Sequence, residues 1–364
     1  MTTQMEFKID VAFWIDGPML PLGDGGSRLK LGLIAALNNY TDLKILPINC
    51  LWSFENPAQY IALQSPILFL RPHDFYSPSK SILEYLIALG TKLILFDTVD
   101  TALKLAPLFK KHGFHTAILF HNIDHVLFER LGYKRELVNQ AASKTIEALN
   151  LLDIAFVRSD IDLKHLSEIS RHLKTVHIAR GGIDTDSIDF RQSRGRVLKA
   201  IVIANFYYEP NLEGLLLLLK YWNGGELRIV GPLPQNIRKE IYRTKNVKYV
   251  GKLLSIQAEL NNATIGLIPV NSGSGTRMKA LDYAAAGLPI LSTTIGMEGL
   301  EDLRNFVYLE NKIENFNKRA PEIILDSDNP SKVSGARRLM NEIYDWKTSI
   351  QEYYSPIATL IQAK

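Results

Sequence analysis

The chain has 364 residues, 46% of them hydrophobic and 22% charged, the composition of a soluble globular protein long enough for two domains. Its net charge of +4 is spread too thinly for a nucleic-acid footprint, which gathers cations on one face. A single cysteine, Cys50, excludes an internal disulfide and suits a reducing compartment, and "MTTQMEFKIDVAFWID" lacks a signal-peptide layout, so a cytoplasmic protein is expected.

Along the chain, short β-branched runs alternate with helix-length amphipathic segments. In the first half the strands are expected at "KIDVAFWI", "LKILPI", "PILFL", "KLILF", "HTAILF", "DIAFVR" and "TVHIA". In the second half they are expected at "KAIVIAN", "ELRIVG", "NVKYVG", "TIGLIPV", "PILST" and "NFVYL". Near-continuous apolar runs of this length suit strands buried on both faces of a parallel sheet. Two successive sets of such strands predict an α/β protein made of two doubly wound, Rossmann-like domains facing across a cleft, with ligands at the carboxyl ends of the strands. The longest apolar run elsewhere, "LLLLL" at Leu215 to Leu219, is far too short to span a bilayer.

The seam falls in the polar stretch "GIDTDSIDFRQSRGRVLK" (Gly182 to Lys199). The expected domains are therefore residues 1–190 and 191–345, with 346–364 as a terminal helical segment, broken before Pro356, that is expected to return to the first domain. Residues 1–190 hold 19 Lys and Arg against 21 Asp and Glu, whereas the remainder holds 23 against 17. The surplus suits a second half that handles a small anion, and a solvated surface explains it as well.

One segment concentrates chemistry. In "ATIGLIPVNSGSGTRMKALDYAAAGLPILSTT" a strand leads through a glycine turn into a helix closed by Gly287. Met278, Leu281 and Ala285 fall on one helical face and Thr276, Lys279 and Asp282 on the other. Gly273 and Gly275, flanking Ser274, allow close backbone approach of a ligand, and a helix N-terminus offers N–H groups to an anion. Arg277 and Lys279 add charged donors for phosphate oxygens, and Asp282 can accept from ribose hydroxyls. A cation at a helix N-terminus opposes the helix dipole unless an anion compensates, which favours a phosphate site over an ordinary turn.

"GSGTRMKALDYAAAGLPILSTTIGMEGL" resembles the donor-site segment of the retaining GT-B glycosyltransferases of family four, which commonly reads Gly-Thr-Arg-x-Lys-x-x-Glu-Ala-Met-Ala-x-Gly-x-Pro-Val. Further stretches are similar in order and spacing: "GDGGSRLKLGLIAAL" to the N-terminal glycine loop and helix, and "FHNIDHVLFERL" to the His-Asn-x-Glu segment. "LLDIAFVRSDIDLKHL", "ARGGIDTDSI", "ANFYYEPNLEGLLLL", "LRIVGPLP" and "VKYVGKL" follow in the family's order. The resemblance spans about Gly23 to Gly299. It implies that Gly25 and Gly26 approach the donor phosphates or the acceptor, and that His121 lines the sugar pocket as the catalytic residue. It further implies that Arg277 and Lys279 grip the diphosphate and Asp282 the ribose, with Gly273, Ser274, Gly275 and Thr276 forming the donor turn.

The activity implied is transfer of a hexose-type sugar, with retention and without a metal, from a nucleoside diphosphate sugar to a glycan, lipid-linked or protein acceptor. That belongs to polysaccharide biosynthesis in the cytoplasm, with room for peripheral contact at the inner face of the membrane. Three departures stand out. Ser274 occupies the place of a glutamate that contacts the donor hexose in many relatives. The ribose acid is an aspartate, and the family's Arg and Lys near "ANFYYEPN" are missing. A catalytically silent GT-B protein that binds glycan or stabilises a partner enzyme is the alternative. A nucleotide-sugar epimerase would want paired acid and base carboxylates that are not apparent. The Asp-x-Asp triplets at Asp160, Asp184 and Asp326 and the His121/His125 spacing are read as structural, so no metal or cofactor is expected beyond the nucleotide-sugar co-substrate.

Overall fold

The computed structural model describes residues 8–16, 25–50, 66–192, 194–253 and 255–363. The chain forms two compact units: residues 1–21, 29–180 and 349–364 make unit 1, and residues 22–28 and 181–348 make unit 2. Gly23 and Asp24 of the glycine loop lie outside the described residues.

Unit 1 is built on strands β1 (Val11–Ile15), β2 (Ile45–Cys50), β3 (Leu68–Leu70), β4 (Leu93–Phe96), β5 (His115–Leu119), β6 (Ile154–Val157) and β7 (Val176–Ile178). Among the described residues they form one parallel sheet ordered β3-β2-β1-β4-β5-β6-β7. Val11 faces both Ile45 and Leu93, so the order reverses beside β1, where doubly wound sheets open a crevice. β1 and β4 are buried at every position, which is why their sequences show no polar alternation. The helices between them are α1 (Gly25–Tyr40), α2 (Pro72–Tyr76), α3 (Lys80–Ala88), α4 (Val99–Lys111), α5 (Asp124–Arg130), α6 (Arg135–Leu151) and α7 (Asp160–Ile169). Thr98 starts α4 by accepting from the Thr101 N–H, and Ser159 starts α7 by accepting from Asp162. Trp14 anchors the core, its ring centroid 5.2 Å from Phe75 and 5.2 Å from Phe109.

Unit 2 carries β8 (Lys199–Ile203), β9 (Glu226–Val230), β10 (Val247–Gly251), β11 (Ile265–Ile268), β12 (Ile290–Ser292) and β13 (Tyr308–Leu309). They form a parallel sheet ordered β10-β9-β8-β11-β12-β13, which reverses beside β8. Its α-helices are α8 (Glu209–Tyr221), α9 (Gln235–Arg243), α10 (Gln257–Asn262), α11 (Met278–Ala286), α12 (Phe316–Ile324), α13 (Asn329–Leu339) and α14 (Trp346–Ser349), whose last residue already counts with unit 1. All thirteen expected strands are present; twelve lie within their expected segments, and β2 runs two residues past the end of "LKILPI", to Cys50.

The helix α11 departs from expectation. It is not amphipathic: Met278 and every residue from Ala280 to Ala286 are buried, Asp282 included, because the alanine-rich helix is enclosed on all sides. Such a helix must satisfy its terminal carbonyls internally. Gly287 closes it in the left-handed conformation (φ 75°), where an added Cβ would lie 2.5 Å from the Arg191 carbonyl oxygen. Arg337 donates to the carbonyl of Ala285 at 2.7 Å. Arg194 donates to those of Ala286, Gly287 (3.2 Å), Leu260 (2.6 Å) and Ala263 (2.8 Å). Burial pushes the Arg194 guanidinium down to about 10, still charged at neutral pH. Part of the polar seam is thus a clamp on α10 and α11.

The change of unit comes at Arg180/Gly181, ten residues before the expected boundary at 190. Ile183 already bridges to Asp345, and Thr185 donates to the Asp345 carboxylate, which ties this stretch into unit 2. The final helix α15 (Gln351–Gln362) runs through Pro356 instead of breaking before it. One lost backbone hydrogen bond is outweighed by burial of Tyr353, Ile357, Ala358 and Ile361 along one face. This helix packs within unit 1: the Tyr353 hydroxyl donates to Ala179 at 2.9 Å, its ring lies 5.3 Å from Phe156, and Glu352 pairs with Arg180. Among the described residues, no helix is long and apolar enough to cross a membrane.

Candidate active site

The glycine turn of unit 2 follows β11 and ends at α11. Gly273 (φ 94°) and Gly275 (φ 84°) are both left-handed, so the turn needs residues without a Cβ. At Gly273 space is also limiting, since a Cβ there would lie 2.6 Å from the Tyr208 hydroxyl. Arg277 occupies the N-cap position of α11 and is 8% exposed. Its guanidinium folds back onto its own turn, donating to the carbonyls of Ser274 (2.6 Å) and Ser272 (3.2 Å). This holds the turn open, and the cation stays at the end of the helix that favours an anion.

Lys279 lies in the first turn of α11 and donates to the Asn211 side-chain oxygen at 2.9 Å. Asn211 in turn donates to the Asn205 carbonyl at 2.9 Å. Burial first, then the Arg277 charge, push the Lys279 ammonium down to about 7. The segment "ANFYYEPN", conspicuous in the sequence for the cations it lacks, thus contributes Asn205, Tyr208 and Asn211 as the scaffold of the turn.

Asp282 is 1% exposed, and both of its oxygens are held by Arg28, at 2.5 and 2.6 Å. Arg28 stands in the first turn of α1, after Gly25 and Gly26, and residues 22–28 count with unit 2. The adjacent carboxylate raises the Arg28 pKa, so the guanidinium is permanently charged. Nothing in the sequence singles out Arg28, because 254 residues separate it from Asp282 and no spacing rule joins them. Unit 2 therefore gathers a glycine turn, a helix N-terminus, Arg28, Arg277, Lys279 and Asp282, an arrangement chemically suited to receive an anion beside a hydroxyl-bearing group.

His121 lies in unit 1, two residues beyond the end of β5. Burial, reinforced by the charges of Lys30 and Arg158, holds its imidazole well below the usual histidine range, so it is neutral. Lys30 pairs with Asp97 at 3.1 Å, and the other Asp97 oxygen accepts from the Asp16 N–H at 2.8 Å. Asp16 in turn accepts from the Tyr76 hydroxyl (2.8 Å) and from Thr101 (2.7 Å). A buried polar network with both ends satisfied fixes the strand ends around His121. His125 falls within α5 whereas His121 precedes that helix, so the two do not share a helical face.

The Asp-x-Asp triplets have local work. Asp162 accepts from the Ser159 hydroxyl at 2.8 Å, Asp184 accepts from Asp186 and Ser187, and Asp326 accepts from the Tyr308 hydroxyl at 2.9 Å.

Residues 200–326 match the family described as "Glycosyl transferases group 1". Unit 2 carries a glycosyltransferase group 1 domain. Solved structures extend the likeness across the whole chain. Sucrose-phosphate synthase of Thermosynechococcus elongatus superposes with a TM-score of 0.76 at 13% identity, over 98% of this chain and 100% of that one. HepE of Anabaena, in complex with UDP-glucose, gives 0.75 at 13% identity over 96% and 100%. The pneumococcal O-GlcNAc transferase GtfA, in complex with UDP and GlcNAc, gives 0.72 at 9% identity over 98% and 100%. The fold is therefore GT-B, with two Rossmann-like parallel-sheet domains. No curated protein matches the chain by sequence.

Proposed function

We propose that the protein is a retaining, metal-independent glycosyltransferase that moves a hexose-type sugar from a nucleoside diphosphate sugar to a glycan, lipid-linked or protein acceptor. The observation that carries this reading is the gathering of Arg277, Lys279 and Asp282 at the left-handed glycine turn and its helix, inside the segment that matches the glycosyltransferase family, with Arg28 brought onto Asp282 from outside that segment. The turn N–H groups and the cations receive the diphosphate. Each carboxylate oxygen of Asp282 keeps a second lone pair beside its bond to Arg28, enough to accept from ribose hydroxyls. As the bond from the anomeric carbon to the diphosphate oxygen breaks, the cations take up the charge developing on that oxygen. The departing phosphate then accepts the proton of the acceptor hydroxyl, whose oxygen bonds to the same face of the carbon. The cations offset the phosphate charge in place of a metal.

The test is release of nucleoside diphosphate from a panel of nucleotide sugars, starting with UDP-glucose because HepE is known in complex with it. Activity with an anomer-retained product should persist in EDTA. Loss on chelation with recovery on adding magnesium or manganese overturns metal independence. One observation favours a silent, glycan-binding GT-B protein as the second reading: Asp282 is already engaged on both oxygens by Arg28. UDP-glucose binding without turnover on any acceptor would select it.

Lys279 gives this reading a pH signature. Its ammonium is half-ionised near pH 7 in the free protein, and a bound diphosphate raises its pKa, so donor binding takes up a proton there. UDP-glucose, whose diphosphate does not titrate in this range, should bind with constant affinity well below pH 7 and lose up to about tenfold per pH unit above it. Calorimetry between pH 6 and 9 measures this, and Lys279→Met should abolish the slope. A flat wild-type profile removes Lys279 from the diphosphate.

A further inference from the structure

Unit 1 contains a cavity of about 440 Å³ beyond the carboxyl ends of β4 and β5, within the size range of small-molecule sites. His121 lies on its wall, and the chemistry of the other lining residues is specific. Asn122 follows β5, Asp124 and Phe128 come from α5, and Gln140 and Lys144 come from α6, with Asp100 opposite them on α4. Lys144 is already neutralised by Asp100 at 2.6 Å. Asp124 has neither an ion pair nor a hydrogen bond among the described residues; burial first, then the Asp100 charge, raise its pKa against the opposing charge of Lys144, so two carboxylates share one lysine here. The cavity therefore presents a carboxyl outside any ion pair, amide side chains and an aromatic ring, and its one lining cation among the described residues, Lys144, is already paired with Asp100.

That set complements a sugar ring: hydroxyls donate to the carboxyl and exchange hydrogen bonds with the amides, while the C–H face lies on the apolar ring. It opposes an anion, because a phosphate or uronate entering here meets Asp124 and a lysine already paired with Asp100. We propose that this cavity holds the acceptor sugar and selects an uncharged pyranose over phosphorylated or uronic acceptors. The acceptor assignment rests on the glycosyltransferase reading, but sugar binding by unit 1 does not.

Saturation-transfer NMR and calorimetry on the full chain, with methyl α-glucopyranoside, methyl α-galactopyranoside and N-acetylglucosamine against glucose 6-phosphate and glucuronate, test it. At least one uncharged sugar should bind with a millimolar Kd, and the anionic sugars about tenfold or more weaker. Asp124→Asn, checked for an unchanged melting temperature and unchanged UDP-glucose affinity, should narrow that gap to about threefold or less. Equal or tighter binding of the anionic sugars, no binding of any uncharged sugar, or a gap unmoved by Asp124→Asn overturns the proposal. Measuring UDP release on the same preparations separates the two readings. Charge-selective sugar binding without UDP release leaves the cavity a sugar site and removes transfer, whereas UDP release without charge selection leaves transfer and removes this assignment.

Discussion

Replacing Arg28 with alanine should lower both the stability of unit 2 and its affinity for the donor. Asp282 is 1% exposed and has both oxygens on Arg28, so the variant leaves a carboxylate buried without its counter-charge. Breaking a buried pair in this way costs about 3–5 kcal/mol, and even 3 kcal/mol lowers the melting temperature of a unit this size by roughly 6–12 °C. Removing both charges, as in Arg28→Met with Asp282→Leu, should recover most of that stability, because neither ion is then left alone. UDP-glucose affinity should not recover, since the proposed ribose acceptor is gone. Asp282→Ala should cost about 1.5–3 kcal/mol of donor binding, read by calorimetry against the melting curve of the same sample. A double variant that is both stable and tight-binding would make the pair purely structural, and normal melting of Arg28→Ala would mean that the ion pair adds nothing.

His121→Ala should lower kcat by roughly ten- to a thousandfold while leaving UDP-glucose affinity within about threefold. The residue lies in unit 1 and the proposed nucleotide site in unit 2, so a role in the reacting sugar is expected to appear in turnover and not in nucleotide binding. Burial with Lys30 and Arg158 nearby keeps the imidazole neutral, so it serves as a hydrogen-bonding group and not as an acid. The sign follows from the lowered pKa: kcat should be insensitive to pH through the ordinary histidine range near 6.5 and fall only at lower pH, as the ring protonates. A histidine that merely packs at a strand end predicts lost stability with normal turnover in the protein that remains folded. Melting temperature, affinity and kcat on one preparation decide, and near-normal kcat ends the catalytic assignment.

The strands were legible because buried parallel strands write themselves as contiguous apolar runs: "VAFWI" and "LILF" are apolar at every position because both faces are covered. The faces of α11 were not. Helical periodicity assigns Lys279 and Asp282 to an outer face, but this helix has no outer face, and its charges are met by Asn211 and Arg28 from distant parts of the chain. The glycine turn could be read locally, since left-handed backbone at Gly273 and Gly275 is a property of the residues themselves. The partners that shape its electrostatics could not, because Arg28, Asn205 and Asn211 come together with it only in the folded unit. The boundary shows the same limit: polar composition pointed to the seam, but the bridge from Ile183 to Asp345 sets where it begins.

The return of α15 to unit 1 bears on how the chain is made. Tyr353 and Glu352 fasten to Ala179 and Arg180, which leave the ribosome about 170 residues earlier. At roughly 5–20 residues per second, the nascent first half waits about ten to thirty seconds with that face bare, while the contiguous stretch 181–348 emerges and can fold. Vectorial synthesis thus leaves the earlier-born unit as the later one to close, and makes the interval before α15 emerges the period when a chaperone is most needed.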